Sequence, residues 1–230
     1  MKSFILIIFI FLELLNAKTY IISGTDMPMH NISMIILEKA YSRAGLKMQH
    51  RYMQPEKSLQ LANYGETDAD ISRIKKIPLK YPNLVIVPVP LVEIQAMAFS
   101  KNKNIKISKW SDLADYNVTI VKGIKFIENG TKSISRNVLM NFNAAFKLLN
   151  EGKTDIIVAP KFTALKTIFL NGYKDIKPVS KPLQRLPLYH FVHKKNKHII
   201  PLLTPVLQTM QQRGEIAYAR RSYLHSITFQ

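Results

Sequence analysis

The sequence predicts an α/β fold, and three observations carry that reading. Short β-type runs alternate with helical patterns from Thr19 to Phe99 in the order βαβαβ, which argues for a largely parallel sheet with covering helices. A second alternation of the same kind follows Ser100, where the segment KNKNIKISKW turns polar and basic. The 230 residues include no cysteine, so packing has to hold the interior. A disulfide framework, thiol catalysis and thiolate metal sites are all excluded. A chain of this length suits one large domain or two lobes of about 100 residues each.

Each element has its own signal. Thr19 to Ser23 is a β-type run that stops at Gly24, and Asp26, Pro28 and Asn31 mark a loop. Asn31 reads as the N-cap of a helix from Ile32 to Ala44, with Ile32, Ile35, Ile36 and Ala40 at helical spacing and Gly45 as the stop. Lys47 to Met53 is a second strand. Pro55, Glu56 and Gly65 frame a second helix. Asp68 to Arg73 is a third strand, and Leu84 to Phe99 an apolar stretch broken by Pro88 and Pro90. In the second alternation, Ser111 caps a short helical turn, Asn117 to Lys122 is a strand, and a helix lies near Phe126. Val138 to Phe142 is the next strand, Asn143 caps Ala144 to Asn150, Asp155 to Ala159 is a buried strand, and Phe162 to Leu170 a helix. Leu188 to Val192 reads as a returning strand, followed by terminal helices over Ile199 to Met210 and Glu215 to Tyr223.

The N-terminus sets an expected compartment. Lys2 precedes the apolar run Phe4–Leu15, and Leu15-Asn16-Ala17 ends in a small residue suited to signal peptidase. The run is too short for the roughly 20 residues a spanning helix needs. Residues 1–17 are therefore expected to be a cleaved signal peptide, leaving Lys18 to Gln230 as a periplasmic protein. The net charge of +18 invites a nucleic-acid reading. The lysines are spread over the whole chain, however, and export makes nucleic acid an unsuited partner. The charge implies attraction to anionic surfaces and ligands.

The succession of DAD-x-x-R, an apolar crossover, NAAFKLLNEGKTDIIVA and a helical return resembles the type II periplasmic binding protein fold. Within that fold it is similar to the extracellular solute-binding proteins of polar-amino-acid transporters. LQLANYGETDAD looks like the helix–Gly–Asp-Ala segment of that family, and Lys109-Trp-Ser-Asp-Leu113 like the short helix opening its second lobe. GETDADISR, YPNLVIVPVP and LPLYHFVHKK look like a subgroup of transporter substrate-binding domains. The resemblance implies two lobes, residues 18–94 with 188–230 and residues 95–187, joined by two crossing strands, with a ligand captured in the interlobe cleft by hinge motion. It also implies an ABC transporter or a sensor protein as membrane partner, and a monomer. The chain departs from the amino-acid receptors at three points. Arg73 follows Asp68 much sooner than the carboxylate-clamping Arg of those receptors, no acidic residue follows Ala159-Pro160-Lys161, and Gly123 leads into Ile124-Lys125 without a Thr-rich loop.

Arg73, at a strand end, can present a planar fork to a carboxylate or phosphate, or pair with Asp70 or Asp68 and brace the lobe. Asp70 faces the same choice, with pairing favoured. Lys122 and Gly123 precede a helix and offer a cation beside free backbone N–H groups. Gly24, Thr25 and Asp26 follow the first strand and read as a wall of the cleft or a polar loop. Tyr189 and His190 are successive on the return strand, so at most one faces a ligand. His190, His193 and His198 lack metal-site spacing and company, so no metal is expected. Trp110 is read as packing.

No G-x-S-x-G, H-E-x-x-H or P-loop pattern is present, so catalytic residues and cofactors are expected to be none. The reading is an exported solute-binding receptor for a small polar, anionic ligand, with Arg73 as anchor. The ligand-binding residues would be Arg73, Asp70, Lys122, Gly123, Asp26, Thr25 and Tyr189. Two alternatives stay open: a small dehydratase-like enzyme using the same cleft, and a basic cell-surface interaction protein.

Overall fold

The computed structural model describes residues 18–228, so the expected signal peptide lies outside the described residues. In chain order the elements are β1 (Thr19–Gly24), α1 (Pro28–Arg43), β2 (Lys47–Tyr52), α2 (Pro55–Tyr64), β3 (Ala69–Ile74), β4 (Leu84–Ser100), β5 (Val118–Val121), α3 (Lys125–Gly130), β6 (Asn137–Leu139), α4 (Phe142–Asn150), β7 (Ile156–Pro160), α5 (Lys161–Leu170), β8 (Lys177–Pro178), β9 (Gln184–His193), α6 (Ile200–Gln212) and α7 (Glu215–Thr228). No helix among the described residues is long and apolar enough to cross a membrane.

The chain divides into two compact units. One holds the described residues through Val92 together with Leu188–Ala219, the other Glu93–Pro187 together with the residues from Arg220 on. β4 and β9 each carry the chain from one unit into the other.

In the first unit β1 pairs in parallel with β2 and β3, while β9 runs antiparallel to β3. The β3–β9 register shifts between Asp70 and Arg73. Two neighbours on β9 show how the sheet is covered. His190 reaches Tyr41 of α1, and Phe191 joins Leu59 and Ala62 of α2 in one apolar cluster. Successive strand residues point to opposite faces, so α1 and α2 cover opposite faces of this sheet.

In the second unit β5 lies between β6 and β7, parallel to both, and β4 runs antiparallel to β7 with the short β8 on its other side. Alternation along these strands builds two separate cores. Ala96, Ala98, Val118, Ile120, Ile156 and Val158 face one side with Ile105, Ile107 and Leu113. Met97, Phe99, Val121, Ile157 and Ala159 face the other, against Ala145, Phe146 and Leu149 of α4 and Ala164 of α5. Burial on both faces explains why β7 reads as the unbroken run IIVAP.

Four sequence expectations need correction, each for a local reason. Helix α1 starts at Pro28, not Ile32, because proline's fixed φ suits the first helical position. Asn31 is not its cap but donates through Nδ2 to Asp26 Oδ1 at 2.9 Å. Asn141, not Asn143, caps α4 by accepting the Ala144 N–H at 2.8 Å, so the strand before it ends at Leu139. Ser111 lies inside the 3-10 turn Trp110–Asp115, and Asp112 Oδ2 holds that turn by accepting the N–H groups of Ser108 and Lys109 at 2.9 and 3.1 Å. Pro88 and Pro90 do not break β4: Val87, Val89 and Leu91 are buried on one side of the alternation while Pro88 is exposed on the other, and proline's φ fits extended backbone.

Candidate functional site

Open α/β sheets take ligands beyond the carboxyl ends of their parallel strands, so the residues at those ends are the ones to examine in each unit. In the first unit, β1 ends at Gly24 and leads into Thr25 and Asp26, and β3 ends with Arg73 and Ile74. Gly24 is needed because a Cβ there would stand 2.1 Å from Ile71 Cδ1.

Thr25 is buried and fixed by His30. Its backbone N–H donates to His30 Nδ1 at 2.9 Å, and its hydroxyl lies at the same distance from that atom. Nδ1 is thereby the acceptor, so Nε2 carries the proton and donates to the Ser72 carbonyl at 3.0 Å. Burial, helped by the Arg73 charge, lowers the His30 pKa to about 4, which agrees with a neutral ring. Asp26 is exposed and takes the Asn31 side-chain bond described above.

Arg73 and Asp70 meet as a bidentate pair. Arg73 Nε donates to Asp70 Oδ1 at 2.9 Å and Nη2 to Oδ2 at 3.0 Å. The Asp70 side chain is 0% exposed and that of Arg73 14%. Ser58 of α2 donates to Asp70 Oδ2 at 2.7 Å, and Arg73 Nη2 also reaches the Pro55 carbonyl at 3.4 Å. The bracing role weighed from the sequence is thus occupied by this pair. Arg73 Nη1 has no hydrogen-bond partner among the described residues. One side of the fork is locked to the lobe and the other is not.

Tyr189 is the β-ladder partner of Arg73 and is half-buried against the Leu59, Tyr81 and Phe191 cluster. His190 is fully buried. Its Nδ1 donates to the Asp70 carbonyl at 2.8 Å while Nε2 lies 2.9 Å from the Tyr41 hydroxyl. Burial lowers its pKa to about 4 and pushes the Tyr41 phenol up. Of the two neighbours, His190 is interior structure.

In the second unit β5 ends before Lys122 and Gly123, both exposed. Gly123 adopts φ +93°, a conformation that favours glycine. Its N–H, offered to an anion in the sequence reading, donates to Glu128 Oε1 at 2.6 Å. Lys125 and the Gly123 N–H hold the Glu128 carboxyl below the usual range. Lys122 makes no side-chain hydrogen bond or ion pair among the described residues. The same carboxyl edge carries Met140 and Asn141 after β6, and Lys161 and Phe162 after β7. The Lys161 ammonium lies 5.9 Å from the Phe162 ring centre. The sequence reading passed over Lys161 as the absence of a carboxylate, although a cation at a parallel strand end is itself a signal.

Trp110 packs beside Gly130, where a Cβ would come within 2.5 Å of the indole. No group of three or more His, Cys, Asp or Glu side chains that could hold a metal ion occurs among the described residues. An open groove of about 530 Å³ in the second unit contains none of the candidate residues.

No protein-family model matches the chain. An uncharacterized protein of Shewanella oneidensis is 23% identical over 212 residues, covering 86% of this chain and 80% of that protein. Among solved structures, a histidine kinase sensor domain with similarity to periplasmic binding proteins superposes with a TM-score of 0.70 at 15% identity, over 91% of this chain and 97% of that one. The chain has the type II periplasmic-binding-protein fold. An ancestral cationic amino acid solute-binding protein shares this binding-protein fold with a TM-score of 0.70 at 16% identity, over 92% of this chain and 98% of that one. Thr25 and Arg73 stand at the carboxyl ends of the parallel strands β1 and β3 in the first unit, and Lys122 and Lys161 at those of β5 and β7 in the second.

Proposed function

We propose that the chain is an exported receptor that captures a small polar, anionic solute at the carboxyl edges of its sheets and hands it, or its signal, to a membrane transporter or sensor. The interlobe capture and hinge closure implied by the family resemblance belong to this reading, as does the lobe division of residues 18–94 with 188–230 and 95–187. The observation that carries it is the Arg73 guanidinium. Asp70, itself held by the Ser58 hydroxyl, fixes it in place at a strand end, and its Nη1 remains available. A fork held rigid before the ligand arrives loses little entropy on binding. Lys122 and Lys161 add positive charge at the other edge, and Tyr189, beside Arg73, supplies an aromatic surface. Asp26, exposed just beyond β1, and the Thr25 backbone that His30 clasps beside it border the first-unit edge.

The acids at this edge speak against turnover. Asp70 is fully buried and paired, and Asp26 is exposed and bonded to Asn31, so neither forms an acid–base couple with a second group. The test is the affinity of a bound anion for Arg73 variants. An Arg73→Ala, Asp70→Asn double variant removes the fork without leaving a lone buried carboxylate. It is expected to bind at least about tenfold more weakly, the value of one charge-assisted hydrogen bond. Equal affinity in the folded double variant removes Arg73 from the site.

A further inference from the structure

Away from the carboxyl ends of its own parallel strands, the second unit carries an open groove of about 530 Å³ lined by Lys103, Lys106, Lys177 and Lys181 over a floor of Ile105, Ile107, Pro178 and Val179. Its construction follows from local backbone. The segment after β4 runs beside the segment after β8, with a parallel bridge between Ile107 and Ser180 and the Ile107 N–H donating to the Val179 carbonyl at 3.0 Å. Strand-like alternation sends Ile105 and Ile107, 6% and 3% exposed, into the core and leaves Lys106 and Ser108 outside. None of the four lysines forms an ion pair or side-chain hydrogen bond among the described residues. Asp112, the carboxylate bonded to the lining, is already tied to the N–H groups of Ser108 and Lys109.

Four like charges around one groove repel one another, and a multivalent anion relieves that repulsion. We infer that this groove binds a ligand bearing two or more phosphate groups. Compact ammonium charges on flexible stems suit phosphate groups of varied spacing better than they suit one planar carboxylate. The volume lies within the range of about 300–1,000 Å³ common to small-molecule sites. The shared chemistry has two sources, a soluble oligophosphate or the clustered headgroups of an anionic membrane. The site is separate from the receptor edge and stands or falls without it.

The experiment compares two quadruple variants of equal net charge. In one, Lys103, Lys106, Lys177 and Lys181 are changed to Ser. In the other, the exposed Lys39, Lys57, Lys75 and Lys132 are changed instead. Binding of tripolyphosphate is measured by titration, and binding of vesicles by co-sedimentation with phosphatidylcholine alone or mixed equally with phosphatidylglycerol. Melting curves confirm that both variants fold. The expected result is a loss of at least about tenfold in the groove variant against a change of no more than about twofold in the control variant. Tripolyphosphate binding without vesicle binding assigns the soluble source, and the reverse assigns the membrane. Equal losses in both variants, no binding of either probe by the parent chain, or tighter binding of polyglutamate than of tripolyphosphate overturns the inference.

Discussion

At the scale of single residues, Arg73 and Asp70 form a bidentate pair in which the carboxylate is fully buried and the guanidinium nearly so. Asp70 is a buried carboxylate whose charge is tolerated because a bidentate guanidinium and a hydroxyl surround it. Removing one partner of a buried pair strands the other. Arg73→Ala is therefore expected to lower unfolding free energy by about 3 kcal/mol in urea titrations, and adding Asp70→Asn should recover about half of that loss. If Arg73→Ala costs nothing, the pair is not a brace and the rigid-anchor argument fails with it. The two buried imidazoles make a second residue-scale prediction. With folded pKa values of about 4 for His30 and His190 and an unfolded value near 6.5, the unfolded chain binds more protons between those limits. Their contribution, on the order of 3 kcal/mol for each ring, is complete above pH 6.5 and is lost as pH falls toward 4. Imidazole NMR signals of both residues should stay those of neutral rings down to about pH 5, and titration of either near 6.5 contradicts the buried network.

At the scale of elements, β1 shows how tightly the first-unit edge is built. Gly24 sits where a Cβ would meet Ile71 Cδ1 at 2.1 Å, so Gly24→Ala is expected to cost about 2 kcal/mol through overpacking, read as a lowered denaturation midpoint. An unchanged midpoint would mean that Ile71 and Thr25 have room to shift. The alternation of elements was legible because apolar spacing is written into each segment. Helix boundaries were less so. Competing helix-start signals stand close together, Pro28 at a first helical position against Asn31 as a cap, and Asn141 against Asn143, and only the backbone geometry selects between them. The prolines of β4 misled for a similar reason, since a breaker in the sequence is harmless where the chain is extended and alternation points it outward.

At the scale of the whole molecule, the division into two units, with β4, β9 and α7 each running from one into the other, places candidate residues at strand ends in both. Arg73, Thr25 and Lys122 could be named from sequence because each stands at or just beyond the end of a strand and carries a polar group. The Glu128 carboxylate on the Gly123 N–H, the His30 clasp on Thr25 and the Ser58 bond to Asp70 could not, because they join residues whose proximity only the tertiary fold creates. The central claim is that the native chain captures a small solute. Its most direct test is a thermal-shift screen of the purified protein against dicarboxylates, phosphorylated metabolites, aromatic acids, amino acids, amines and sugars. The account predicts that at least one anionic class raises the melting temperature. At a hundredfold excess over the dissociation constant the native state gains about 2.7 kcal/mol. A cooperative melt that stays at the same temperature across the whole library contradicts the receptor reading.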